Sequence, residues 1–135
     1  MMIIFSVLIL AYAIYEIIKK YKASRHPKIR ILKAKLALID PRSKDVNLYE
    51  DPDYAYIVNK QDIYIVIQDK KGNYYDDNTL MHVLLHELAH AINKSIGHDE
   101  KFYELFNKLK VSAQEYGYYN PSLPLDRNYP IKKGE

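Results

Sequence analysis

Three residues set the chemical question: His86, Glu87 and His90, in the run His86-Glu87-Leu88-Ala89-His90. On an α-helix, side chains four apart project about 40° from each other, so both imidazoles address one point in space. Two neutral imidazoles so placed suit a single divalent cation. Glu87, one position after the first histidine, stands beside that cation without ligating it. From there its carboxylate takes a proton from a water polarised by zinc and later hands it to a leaving amine. Zinc lowers the pKa of such a water towards about 7, so the chemistry indicated is hydrolysis at neutral pH. By ordinary residue frequencies, a chance match in a chain this short is expected in roughly one sequence in a hundred or fewer.

A catalytic zinc takes three protein ligands and keeps one position open. The chain has no cysteine, which excludes disulfides, thiolate-held zinc, iron–sulfur clusters and thiol catalysis. The third ligand must therefore be His, Asp or Glu. His98 leads, because Gly97 allows the chain to turn back after the helix. Glu104 and Glu115, on the helix that follows, are the alternatives. His82 is also four residues from His86 but has no carboxylate after it, and is read as a residue behind the ligands or at the surface. His26 is read as solvated. Tyr118 or Tyr119 is a candidate for stabilising an oxyanion.

These side chains need elements to hold them. Residues 80–95 carry an apolar period of 3.6, with Leu80, Leu84, Leu88, Ala91 and Ile92 available to pack away from the histidines. Asp76, Asp77, Asn78 and Thr79 offer N-caps, and Gly97 suits the C-cap. Asp99 can cap a second helix whose apolar face is Phe102, Leu105, Phe106 and Leu109. Upstream, residues 29–39 read as a helix, 41–52 as an irregular link, and 54–58 and 63–68 as strands. A turn at Lys70-Lys71-Gly72-Asn73 leads to a short returning strand at Tyr74-Tyr75. The tail after Gly117, with Pro121, Pro124 and Pro130, is expected to be irregular but partly packed.

The first 18 residues are almost wholly apolar, with Glu16 the one charge, and would reach about 27 Å as a helix, just short of a bilayer's hydrocarbon core. Lysine snorkelling or slight thinning makes up the difference. A cleaved signal peptide is the competing reading, since Ala11-Tyr12-Ala13 has a small-x-small pattern, but a basic n-region is missing. Lys19, Lys20, Lys22, Arg25 and Lys28 follow in a chain of net charge +3. That cluster places the body of the protein in the cytosol. The expected partition is a transmembrane anchor at 1–18, a basic juxtamembrane segment at 19–28 and one domain at 29–135.

Residues 62–106 (DIYIVIQDKKGNYYDDNTLMHVLLHELAHAINKSIGHDEKFYELF) resemble the WLM group of zinc peptidases, related to SprT-like proteases, and above all the small WLM-type proteins of large DNA viruses. The resemblance rests on a strand before a G-x-Y-Y-D turn, Asn78-Thr79-Leu80 opening the helix, HELAH itself, and Gly97-His98 followed by Phe102. It implies a compact α+β, zincin-like domain with a short antiparallel β-sheet packed on the active-site helix. It further implies Zn2+ held by His86, His90 and His98, with Glu87 as general base in peptide-bond hydrolysis. An exposed strand near 63–68 would then bind a peptide by strand addition. Cellular relatives cleave proteins crosslinked to DNA, using appended segments without counterpart here.

The expected function is a membrane-anchored zinc endopeptidase with protein or peptide substrates and lipid around its N-terminal helix. One alternative is a structural or assembly protein, a virion component linking membrane and capsid proteins. The other is a DNA–protein crosslink protease; nucleic acid is the weaker partner, because the basic cluster abuts the apolar run and has little aromatic interleaving.

Overall fold

A computed structural model describes residues 2–93 and 97–135. Helix α1, Met2–Ser24, is apolar along most of its length, and none of its residues is buried. No other part of the described chain covers that surface. Only its last turns meet the body, where Lys20 lies over the Tyr49 ring and 3.9 Å from the Asp62 carboxylate.

Helix α2, Pro27–Ile39, begins with proline at its first position, where the missing N–H goes unneeded. His26 is its N-cap: Nδ1 accepts from the Lys28 N–H at 3.0 Å, while Nε2 lies 3.3 Å from the Tyr74 hydroxyl. The expectation of a merely solvated His26 is thus corrected. Ile29, Leu32, Leu36 and Ile39 form the buried stripe of α2. The helix stops at Asp40, held extended by the proline that follows, and Asp40 in turn caps a 3-10 turn at Pro41–Asp45.

The link expected at 41–52 contains that turn and a strand, β1, Asn47–Glu50. Its four residues are too few to display a period. Strands β2, Tyr56–Val58, and β3, Asp62–Ile65, form a hairpin whose turn places Asn59 and Lys60 at positive φ. The sheet order is β1-β3-β2, with β1 parallel and β2 antiparallel to β3. The sheet is therefore mixed, not wholly antiparallel, and β3 is its central strand. The exposed edge expected at 63–68 does not exist there: Ile63, Ile65 and Ile67 have no solvent exposure. Past β3, an isolated bridge joins Gln68 to Tyr74, as the returning strand required.

Helix α3, Asp77–Ile92, lies against the sheet on one side and helix α4, Glu100–Glu115, on the other. Leu80, Leu84, Leu85, Leu88 and Ala89 are wholly enclosed. Between 80 and 90, the partly exposed positions are His82, His86 and His90, a stripe with helical spacing. The α+β class is as expected. Asn93 is the C-cap of α3, so Gly97, at φ +85°, instead shapes the turn leading to His98; the expected helix end at 95 lies outside the described residues. The tail is irregular yet pinned, by Asn78 and Asn120 exchanging hydrogen bonds and by the Asp126 N–H donating to Thr79 Oγ1.

Asp76 opens α3 by accepting from the Thr79 N–H and hydroxyl, both at 2.8 Å. Asp76→Ala should lower stability by about 1–2 kcal/mol. Urea denaturation of the detergent-solubilised chain checks this; an unchanged midpoint would remove the cap from the account.

Candidate metal centre

The site is built from α3 and the turn before α4. His86 and His90 stand one helical turn apart on the open stripe of α3. Asp99 caps α4 by accepting from the Phe102 N–H at 2.8 Å, which sets the direction of the chain just after His98. The Lys60 ammonium donates to the Asn93 carbonyl, tying the β2–β3 turn to the end of α3. Phe102, fully buried, backs all three rings, with centroids 5.1, 4.5 and 4.8 Å from His86, His90 and His98.

The three imidazoles converge. Each offers a ring nitrogen, and these lie within 4.8 Å of one another. His90 Nε2 and His98 Nε2 are 3.0 Å apart. A tetrahedral zinc with bonds of about 2.0–2.1 Å separates its nitrogen ligands by roughly 3.4 Å, so the rings need only small adjustments to share an ion. His86 Nε2 is buried with no hydrogen-bond partner. An orphaned buried nitrogen is costly, and a cation at this point would satisfy it. The donor set fits zinc.

The protonation states agree. Burial, then the neighbouring rings, pushes His90 down to about 4; burial, then His98, also lowers His86. Neutral rings are what a metal ligand requires. Glu87 is wholly enclosed, and both carboxylate oxygens lack a partner. Burial raises its pKa to about 9, and the approaching Glu135 carboxyl reinforces the shift without an alignment that satisfies either Glu87 oxygen.

Of the alternatives, Glu104 and Glu115 are exposed on α4 and outside the cluster of possible ligands. His82 is also outside it; its Nδ1 is 3.2 Å from the Tyr119 hydroxyl and its ring meets Phe106 edge-on. Tyr119 therefore lies one helical turn before His86, while Tyr118 sits under Lys35 of α2. Sequence reading missed the electrostatic influence between Glu87 and the tail residues Glu135 and Tyr129, since no period or motif links the tail to the helix.

The fold and this histidine cluster define a zincin-like α+β domain. Residues 56–122 match the WLM domain, and the chain belongs to the WLM family. It is 39% identical over 88 residues to Uncharacterized protein 136R of Invertebrate iridescent virus 6, covering 63% of this chain and 49% of that protein. With Uncharacterized protein 042R of Invertebrate iridescent virus 3 it shares 40% over 86 residues, covering 63% and 54%. The chain spans about half the length of these curated relatives. The crystal structure of Wss1 from Saccharomyces cerevisiae shares the fold, at TM-score 0.51 and 20% identity over 67% of this chain and 81% of that one.

His82 gives a test of the electrostatics. Burial first, then Lys110 and His86, lowers its pKa to about 4. The unfolded chain takes up this proton near 6.5 and the folded one only near 4, so stability falls as pH drops between these values. Melting of the metal-free protein should weaken from pH 6.5 to 4 less steeply in His82→Gln than in wild type. Parallel curves for the two would contradict the assignment.

Proposed function

We propose that this protein is a membrane-anchored zinc endopeptidase. The observation that carries the reading is the convergence of His86, His90 and His98 beside the buried, unpartnered carboxyl of Glu87. His86, His90 and His98 would hold the ion. Bound there, zinc supplies a Lewis acid that polarises a peptide carbonyl and makes water acidic enough to be deprotonated near neutral pH. Glu87 would act as the general base, taking a proton from the attacking water and delivering it to the leaving nitrogen. Phe102, packed against all three imidazoles, restrains their orientation.

The anchor is the second part of the proposal. At 23 residues α1 is about 34 Å long, enough to cross the roughly 30 Å hydrocarbon core. Its surface is uncovered, and its basic residues cluster at the end where the domain begins, which supports a cytosolic domain held against the bilayer. Substrates would then be proteins presented near that surface.

Two outcomes are expected. Glu87→Gln should keep one zinc per chain, by elemental analysis, while peptide hydrolysis falls at least about a hundredfold; unaltered turnover would refute the role of Glu87. Separately, the full chain should remain in the membrane pellet after alkaline carbonate extraction, whereas a chain beginning at Arg25 should be released. Release of the full chain would remove the anchor.

A further inference from the structure

A cavity of about 560 Å³ opens where α1, α2 and β1 meet, among residues that take no part in the metal centre. Its size is that of a small-molecule site, roughly 300–1,000 Å³. Arg30, Ala34 and Ala37 follow one another at i, i+4 and i+7 on α2, in a row beside the helix's buried stripe. The two alanines are exposed and too short to reach across, so the groove between helix and strand stays open. Leu48 of β1, 4% exposed, contributes apolar wall, and Ser24, the last residue of α1, also lines the space.

The charge on this cavity has one sign. Arg30, Lys33 and Lys44 line it, and no aspartate or glutamate does so among the described residues. Nearby cations meet carboxylates: Lys28 pairs with Asp77 and Arg42 with Asp40. Arg30 and Lys44 are exposed and have no such partner among the described residues. The Lys33 ammonium donates to the Ser43 carbonyl at 2.6 Å and to the Val46 carbonyl, which fixes it in the wall with a third N–H to spare. Burial lowers its pKa against the pull of Asp45, and a neighbouring anion would favour the charged form.

Under the anchor reading, Ser24 marks where α1 leaves the bilayer, so the cavity stands at the level of the headgroups. A free phosphate there would leave the alanine and leucine surfaces unused. An amphiphile with an anionic head uses both surfaces, and the membrane supplies it at high local concentration.

We propose that this cavity binds one anionic phospholipid of the bilayer that α1 enters. Arg30, Lys33 and Lys44 hold the phosphate, and Ala34, Ala37 and Leu48 receive the glycerol backbone and upper acyl carbons. This rests on the anchor reading of α1 and adds the lipid class recognised: the domain meets the membrane at a second point, which sets the face it turns to the bilayer.

The test uses the full chain in dodecyl maltoside micelles, titrated with dihexanoylphosphatidylglycerol and followed by backbone amide NMR shifts. The amides of Ala34, Ala37 and Leu48 should shift saturably, at one lipid per chain, and dihexanoylphosphatidylcholine should leave them unmoved. Each basic side chain near an anionic headgroup is worth roughly fivefold in affinity, so Arg30→Gln with Lys44→Gln should weaken binding about twentyfold. Ala37→Leu, which narrows the groove and keeps every charge, should weaken it as well. Lys19→Gln with Lys22→Gln, outside the cavity, should change affinity by less than about twofold in roughly 0.15 M salt. An equal loss in that pair would mean diffuse attraction and overturn the site. Inorganic phosphate or hexaglutamate giving the same shifts at the same concentrations would overturn the lipid assignment. A chain held in the carbonate pellet, whose Arg30→Gln/Lys44→Gln form binds as tightly as wild type, would remove the site and keep the anchor. Saturable binding by a full chain that carbonate releases would keep the site and remove the anchor.

Discussion

The centre of this molecule is a helix enclosed on nearly every side. Sheet, α4 and tail together bury α3 so thoroughly that between residues 80 and 90 it meets solvent along one narrow row of imidazoles. That enclosure does two things at once. It fixes the helix against rotation, which holds His86 and His90 in register, and it strips water from Glu87, whose charge becomes unfavourable without a cation nearby. Packing and chemistry are therefore one arrangement. A looser helix would leave the two imidazoles less ordered and the carboxyl better hydrated.

Phe102 illustrates the coupling. It belongs to the apolar face of α4, yet its ring is the common neighbour of all three candidate ligands. The contact that docks α4 on α3 is also the wall behind the rings. The Asp99 cap and the Lys60 tie to Asn93 then settle how the connecting chain leaves one helix and enters the next. His98, the most exposed of the three, thereby reaches a position that local sequence does not dictate.

Much of this was legible from the residues. The histidine spacing, the caps at Asp76 and Asp99, the apolar period of α3 and α4 and the exposed N-terminal helix are local properties, and local rules read them. What escaped depends on contacts far apart in the chain. Strand β1 is four residues long and acquires its meaning only by pairing parallel to β3, fifteen residues later. His26 becomes a cap because Pro27 starts a helix directly after it. Tyr129 and the residues after it have no signal of their own; their place comes from hydrogen bonds of Tyr129 to Val66 and of Pro130 and Lys132 to Ala55, more than sixty positions away. The family resemblance supplied the role of His98, which spacing alone had left open beside Glu104 and Glu115.

The junction between α1 and α2 consists of Arg25 and His26, and His26 is already committed as a cap. Two residues extend at most about 7 Å. Under the proposed anchoring of α1 in lipid, the body would have almost no leash: it would diffuse in two dimensions with its carrier helix and stay within about one domain diameter of the headgroups. Encounters would then be governed by the surface density of other membrane-associated chains, not by their concentration in bulk solution.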